Sequence, residues 1–369
     1  MKVIIAGGGT GGHLFPGIAV ADEFRRRYPE CRILFIGTER GIEKKVLPDL
    51  GYDLQALDVA GIKGKGFLGT VKAMGKIPRS IMESRLLIKQ FRPHLVLGVG
   101  GYVSGPVVLM AHLMGIATAV AEQNAVPGLA NKMLGRFVDR VFVSFEETEQ
   151  CFPAKKVIIT GNPIRSGFVG KGQDATKSEN AFTVLVFGGS QGSRAINDAM
   201  MKAASYLGRI RESLQIIHQV GSVDMEDVIK AYHESRITAE VKPFIMNMAD
   251  AFNKADLLIC RAGATSIAEI TAAGKAAILI PFPYAIADHQ TKNAEILSRH
   301  GAAILIPESQ LMGEKLAEKI LHLFGRPETI KKIGENASGL GHPRAATDVV
   351  DACMDLLHFS YDKSISAPN

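Results

Sequence analysis

Short, uninterrupted apolar runs recur along the chain, and between them apolar positions return every third or fourth residue. The runs read as strands buried on both faces, the stretches between them as amphipathic helices. In the first half the predicted strands are KVIIAG (2–7), RILFIG (32–37), HLVLGV (94–99), IATAVAE (116–122), RVFVS (140–144) and KVIITG (156–161). The polar segment GKGQDATKSENA (170–181) breaks the alternation and reads as a linker. A second series follows: FTVLVFGG (182–189), LQIIHQ (214–219), AEVKPF (239–244), ADLLICR (255–261), AAILIP (276–281) and AAILIP again (302–307). Strands alternating with helices predict an α/β chain made of two doubly wound parallel-sheet domains in tandem. The expected boundaries are 1–163 and 164–341, then a final helix over 342–358 packing back on the first domain, and a frayed tail over 359–369. A weak repeat supports the tandem: VIIAGGGTGGHLFPGIAVADEF (3–24) and VLVFGGSQGSRAINDAM (184–200) each read strand, glycine turn, polar N-cap (Thr10 or Ser190) and helix.

Composition narrows the class. With 47% hydrophobic and 22% charged residues in 369, the chain forms cores and has no disordered bias. The apolar run after Met1 and Lys2 is too short for a secretory signal, which predicts a cytoplasmic protein. Cys31, Cys151, Cys260 and Cys353 are dispersed, with no C-x-x-C pairing, and read as reduced thiols. Leu95–Ala121 carries no charged residue, but Gly98, Gly100, Gly101, Gly105 and Pro106 break it into strand, loop, helix and strand. No membrane span is expected there.

The net charge of +6 is concentrated: Lys63–Arg92 holds eight basic residues against Glu83, so this segment is +7 and the remainder −1. Phe67, Leu68, Val71 and Met74 are interleaved with Lys63, Lys65, Lys72 and Lys76. Such a mixture suits an anionic membrane surface, and equally a helix with one solvated face. The scarcity of aromatic residues and the lack of a binding motif argue against nucleic acid.

Gly7, Gly9 and Gly12 satisfy G-x-G-x-x-G after the first strand, a turn that presents backbone N–H groups to an anion at a helix N-terminus. A nicotinamide reading needs an acid near the end of the second strand, and the nearest, Glu39, fits poorly. His13, directly after the turn, suits acid–base chemistry instead. GGSQG (188–192) matches a nucleophile elbow, but Asp288 and His289 are adjacent and make poor relay partners. Ser190 reads better as a phosphate contact. Asn124 and Arg165 follow strands and offer an amide and a guanidinium fork, while Glu269 and Gln290 stand at similar strand ends. No Asp-x-Asp pair or metal-spaced cluster occurs, so neither a metal nor a cofactor is expected, and a departing diphosphate would be met by backbone amides and Arg165.

In order along the chain, GGGTGGHLFPG (7–17), GVGGYVSGP (98–106), EQNAVPG (122–128), GNPIR (161–165), GGSQGS (188–193), CRAGATSIAE (260–269) and DHQTKNA (288–294) resemble the MurG family of bacterial N-acetylglucosaminyltransferases. The likeness covers nearly the whole chain. It implies the GT-B fold, two Rossmann-like domains facing across a cleft, and inverting transfer of GlcNAc from UDP-GlcNAc to the muramyl 4-hydroxyl of a lipid-linked muramyl-pentapeptide. UDP-sugar epimerases share this two-domain plan and are the nearest alternative. Carried onto this sequence, the resemblance puts Ser190 and Gln191 at the diphosphate, Ile245 at uracil, Glu269 at the ribose and Arg165 on the nucleotide side. Asn124 and Gln290 fall near the sugar, with Ala264 and Thr265 lining the pocket. Thr10, Gly11 and Gly12 close over the reacting groups, and Tyr102 and Ser104 line the acceptor side. His13 is the general-base candidate, with Glu122 as competitor. Members with paired glutamines differ from this chain, where Thr291 follows Gln290. The resemblance also favours the membrane reading of the basic segment, at the cytoplasmic face, with other cell-wall synthesis proteins as further partners.

Overall fold

The computed structural model describes residues 1–38, 41–59, 67–165, 167–168, 181–189, 191–222 and 225–366, with the backbone alone for 67–77 and 359–366. Backbone contacts divide the chain into two compact units, Met1–Arg165 with Pro343–Asn369, and Ser166–His342.

The first unit contains β1 (Lys2–Gly7), β2 (Arg32–Thr38), β3 (Asp53–Leu57), β4 (Leu95–Gly100), β5 (Ala117–Glu122), β6 (Arg140–Val143) and β7 (Val157–Ile159). They form one parallel sheet in the order β3-β2-β1-β4-β5-β6-β7. The second unit contains β8 (Phe182–Phe187), β9 (Leu214–Gln219), β10 (Thr238–Lys242), β11 (Leu257–Cys260), β12 (Ala276–Leu279) and β13 (Ile304–Leu305). Their order, again parallel, is β10-β9-β8-β11-β12-β13. In each sheet the order reverses beside the first strand, at β1/β4 and at β8/β11. Open α/β sheets bind ligands at the carboxyl ends of the strands on either side of such a reversal. Both glycine turns lie there, because β1 and β8 run directly into them.

The apolar runs become central strands because both faces are covered: every residue of β4 and β5 is buried. The apolar pattern misses β3. This edge strand, DLQAL, pairs only with β2 and buries only Leu57, so it lacks the continuous apolar signal of its neighbours. At the other edge β13 is just two residues, shorter than the run over 302–307 suggests.

The last helix, Ala345–Ser366, passes the expected end at 358. Its Val349, Val350, Cys353 and Leu356 are buried in the core of the first unit with Ile18, Ala21 and Phe24 of the helix Gly11–Arg27. Each such apolar side chain contributes about 1.5–3 kcal/mol when fully buried. Arg27 joins the two helices, pairing with Glu23 on its own helix and Asp351 on the last one. The hydrogen bond from Arg26, followed by that from Arg27, holds the Glu23 carboxyl down at about 2 despite some desolvation.

Candidate functional site

In the first unit the glycine turn after β1 ends at Thr10, the extended N-cap of the helix Gly11–Arg27. The Thr10 side chain does not cap the backbone. Its Oγ1 lies 3.3 Å from His13 Nδ1, so the cap and the imidazole fix each other. The ring packs against the end of β4. Gly100 has φ +98°, and a Cβ there would come within 2.6 Å of His13 Cδ2. Glycine at 100 is thus required twice, by the backbone and by the imidazole. The reversal point at β1/β4 thereby holds one half-buried imidazole on a rigid floor.

Ser104 opens the helix Ser104–Leu113. It is fully buried, and its Oγ donates toward Ala6 O (2.7 Å) and Gly100 O (2.8 Å) while accepting from Gly100 N–H (3.1 Å). This hydroxyl ties the ends of β1 and β4 together, so it shapes the floor under His13. Tyr102 is half-exposed on the same loop.

Glu122, at the end of β5, is 3% exposed. Its Oε1 accepts from Asn124 N–H (3.0 Å) and Asn124 Nδ2 (3.3 Å), and its Oε2 from Gly128 N–H (3.0 Å) and Asn131 Nδ2 (2.9 Å). Four N–H donors on one carboxylate form the scaffold of the EQNAVPG loop and present Asn124. Farther along, the Arg165 guanidinium lies 4.4 Å over the ring of Phe15, a cation–π contact that brings Arg165 to the helix carrying His13.

Sequence reasoning missed Glu43. It follows β2 on the short helix Glu43–Asp49 and has no exposed surface. It accepts from Gly9 N–H (2.9 Å), Thr38 N–H (2.8 Å) and Thr38 Oγ1 (2.9 Å). An acid near the end of the second strand therefore exists, but it faces inward and takes an amide of the glycine turn for itself. A nicotinamide ribose has no place on it. Glycines at 37 and 41, close to the carboxylate, were the available signal.

In the second unit Ser190 lies outside the described residues. It is not the helix cap: the helix Arg194–Ala204 starts from Ser193, whose Oγ accepts from Arg261 Nη2 at 2.7 Å. Buried Arg261, another residue missed in sequence, also donates to Ile280 O and Pro281 O and pairs with Glu308. It clamps the turn after β8 to the end of β12. Gln191 is exposed beside this turn. Ala264 opens the helix Ala264–Ala273, with Thr265 beside it and Glu269 one turn on. Glu269 is 4% exposed and lies close enough to Cys260 for its charge to act on the thiol. Burial, with the Glu269 charge adding to it, pushes the Cys260 thiol up. Gln290 accepts from Phe282 N–H at 3.0 Å, which fixes its amide. Ile245 is buried just beyond β10.

Of the basic segment, Lys63 and Lys65 lie outside the described residues. Phe67, Leu68, Val71, Lys72, Met74 and Lys76 fall on the helix Phe67–Phe91, where the backbone alone is described. Its later part exposes Met82 and Leu86 one turn apart, among exposed Arg79, Arg85 and Lys89. The adjacent helices Ser104–Leu113 and Leu129–Leu134 add exposed Leu113, Leu129, Met133 and Lys132, followed by Phe137 and Arg136. Among the described residues no helix is long and apolar enough to cross a membrane, and no group of metal-ligating side chains gathers.

Comparison with known proteins agrees with this arrangement. The Glycosyltransferase family 28 N-terminal domain matches residues 3–143, and the Glycosyltransferase family 28 C-terminal domain matches residues 183–349. A protein of Syntrophus aciditrophicus named UDP-N-acetylglucosamine--N-acetylmuramyl-(pentapeptide) pyrophosphoryl-undecaprenol N-acetylglucosamine transferase is 55% identical over 357 residues, 97% of this chain and 99% of that one. One of the same name from Myxococcus xanthus is 50% identical, covering 97% and 93%. The crystal structure of MurG from Acinetobacter baumannii superposes with a TM-score of 0.77 at 32% identity, over 96% of this chain and 99% of its own. A UDP-N-acetylglucosamine 2-epimerase superposes at 0.67 with 15% identity, a likeness of fold alone. The chain belongs to glycosyltransferase family 28 and, within it, to the MurG group.

Proposed function

We propose that this chain transfers GlcNAc from UDP-GlcNAc to the muramyl 4-hydroxyl of undecaprenyl-diphosphate-linked MurNAc-pentapeptide, converting lipid I to lipid II in peptidoglycan synthesis. The observation that carries the mechanism is the imidazole of His13, braced by Thr10 on one side and Gly100 on the other. With the proton on Nδ1 donated to Thr10 Oγ1, Nε2 keeps the lone pair that takes the 4-hydroxyl proton. The hydroxyl oxygen attacks the anomeric carbon from the face opposite UDP. The glycosidic bond to UDP breaks as the new bond forms, and the configuration inverts.

Glu122 fits poorly as the base, because four N–H donors occupy its carboxylate. It acts instead through Asn124, which it presents to the sugar. The first unit takes the acceptor, with Thr10, Gly11, Gly12 and Tyr102 around it, and Arg165 is its residue assigned to the nucleotide. The second unit holds the donor: Ile245 at uracil, Glu269 at the ribose, Ser190 and Gln191 at the diphosphate, Ala264 and Thr265 beside them, and Gln290 at the sugar. Negative charge growing on UDP is met by backbone N–H groups at the starts of the helices Arg194–Ala204 and Ala264–Ala273. The exposed apolar and basic residues around Met82, Leu86, Leu113 and Met133 support docking of the first unit on anionic lipid at the cytoplasmic face, next to the polyprenyl tail of the acceptor.

The test is UDP release from UDP-GlcNAc in EDTA, with and without a short-chain lipid-linked muramyl-pentapeptide. Release that requires acceptor, survives chelation and collapses in His13→Ala supports the proposal. Release without acceptor points to epimerase or hydrolase chemistry and refutes it.

A further inference from the structure

In the second unit one side chain touches both of the loops assigned to the donor. Gln219 ends β9, with Phe187 of β8 and Lys242 of β10 as its partners in register. Immediately beyond those partners the chain enters the glycine turn 188–192 on one side and the segment 243–245 on the other. Gln219 is 1% exposed. Its Nε2 donates to Gly189 O at 2.7 Å, and its Oε1 accepts from Ile245 N–H at 3.3 Å. A single planar amide thus spans from the diphosphate turn to the uracil residue.

The backbone around it is equally committed. Val220 N–H donates to Lys242 O and Gly221 N–H to Pro243 O. On the other side Gly192 and Gly221 allow the two turns to interlock: a Cβ on Gly192 would lie 2.1 Å from Val220 O, and one on Gly221 would lie 2.2 Å from Gln191 O. Both glycines have positive φ, +77° and +87°. Below, buried His218 fixes the strand end. Asn197 Nδ2 donates to Val220 O, so its Oδ1 accepts from His218 Nε2–H, and His218 Nδ1 accepts from the Tyr232 hydroxyl.

We infer that Gln219 is a positioning residue for the donor, setting the spacing between the nucleobase and diphosphate subsites by bonding to the backbone of both. The inference rests on the donor reading given above. Its chemistry is selective: the bridge needs one donor and one acceptor on the same side chain. Glutamate keeps the acceptor for Ile245 but turns an oxygen against Gly189 O, and methionine keeps the length with neither function. The gain is that uridine and diphosphate bind as one ligand to two subsites held at the matching distance.

The experiment is calorimetric titration of the full chain with UDP and with uridine, in the wild type, Gln219→Met, Gln219→Glu and Asn197→Ala. Losing the bridge is expected to weaken UDP about tenfold, the scale of one net hydrogen bond. Uridine alone should weaken by less than about threefold, so the advantage of UDP over uridine shrinks in both Gln219 variants. Asn197→Ala, which removes the bonds to Val220 O and His218 but leaves both of Gln219's own hydrogen bonds in place, should lower the melting temperature and leave that ratio unchanged. An unchanged ratio in the Gln219 variants, or an equal fall in Asn197→Ala, overturns the inference. A wild-type protein that binds neither ligand overturns the donor reading and this inference with it. Independently of any variant, hydrogen exchange on the free wild-type protein should find the Ile245 amide protected, and exchange at the unprotected rate refutes the bridge.

Discussion

Replacing Glu122 with glutamine separates two roles that a carboxylate at this position can play. As a general base it would lose its proton-accepting oxygen, and the fold would barely notice an isosteric amide. The structure predicts otherwise. Each carboxylate oxygen receives two N–H donors, so whichever way the new amide turns, its NH2 faces two of them. Two hydrogen bonds are lost in a buried place, and each unsatisfied donor costs about 1–3 kcal/mol. With partial relaxation of the loop the sum is about 3 kcal/mol. In a unit of this size that lowers the melting temperature by roughly 6–12 °C. The assay pairs thermal unfolding with the pH profile of kcat/KM. Glu122→Gln should melt early and turn over slowly, through a displaced Asn124, yet keep the acid limb that a base at His13 imposes. A variant that melts within about 2 °C of wild type, loses turnover and loses that limb refutes the scaffold argument and makes Glu122 the base.

Four further outcomes follow from particular contacts. Glu43→Gln turns an NH2 toward Gly9 N–H and should cost about 1–3 kcal/mol in urea unfolding, while raising KM for the lipid-linked acceptor more than for UDP-GlcNAc. Ala287, held at φ +54° just before the helix His289–Arg299, should stabilise the chain by up to about 1 kcal/mol when replaced by glycine, against the usual direction of that substitution. Burial holds His218 down at about 3, below its ordinary 6.5, so the unfolded chain carries the extra proton between those values. Stability should therefore fall as pH drops below about 6.5, by at most ~1.4 kcal/mol per unit from this residue, and urea midpoints of His218→Gln should show a flatter slope. Exchanging Met82 and Leu86 for glutamate should release the protein from anionic vesicles without lowering its UDP affinity, and retained binding would dismiss that surface.

What the sequence disclosed and what it withheld divide along physical lines. Buried strands declare themselves because both faces must be apolar, as in β4 and β5. The edge strand β3, with one buried residue, leaves no such trace. Glycine turns were legible because they need glycine for the backbone itself. The function of a polar residue beside a turn was not, since that depends on which way its side chain points. Ser104 and Glu43 both turn inward and serve the turn, while His13, three residues past Thr10, packs on Gly100. Ser190 and Ser193 are equally good caps in one dimension, and the start of the helix at Arg194 decides between them. Gln219 and Arg261 sit in runs that read as plain strand, and only the pairing of distant loops gives them roles.

The last helix gives the two units different histories during synthesis. Residues 166–342 form a continuous unit, with every strand of its sheet available as soon as that stretch has left the ribosome. The first unit is interrupted. Its β-sheet is translated before the second unit, but Val349, Val350, Cys353 and Leu356, which complete its core, are translated after it. Until then the apolar face around Ile18 and Phe24 waits uncovered, while the later-born unit can already be folded. A nascent chain stalled before Pro343 should therefore hold a native second unit and a protease-sensitive first one, so that a frameshift just beyond His342 would damage the unit translated before the one it follows.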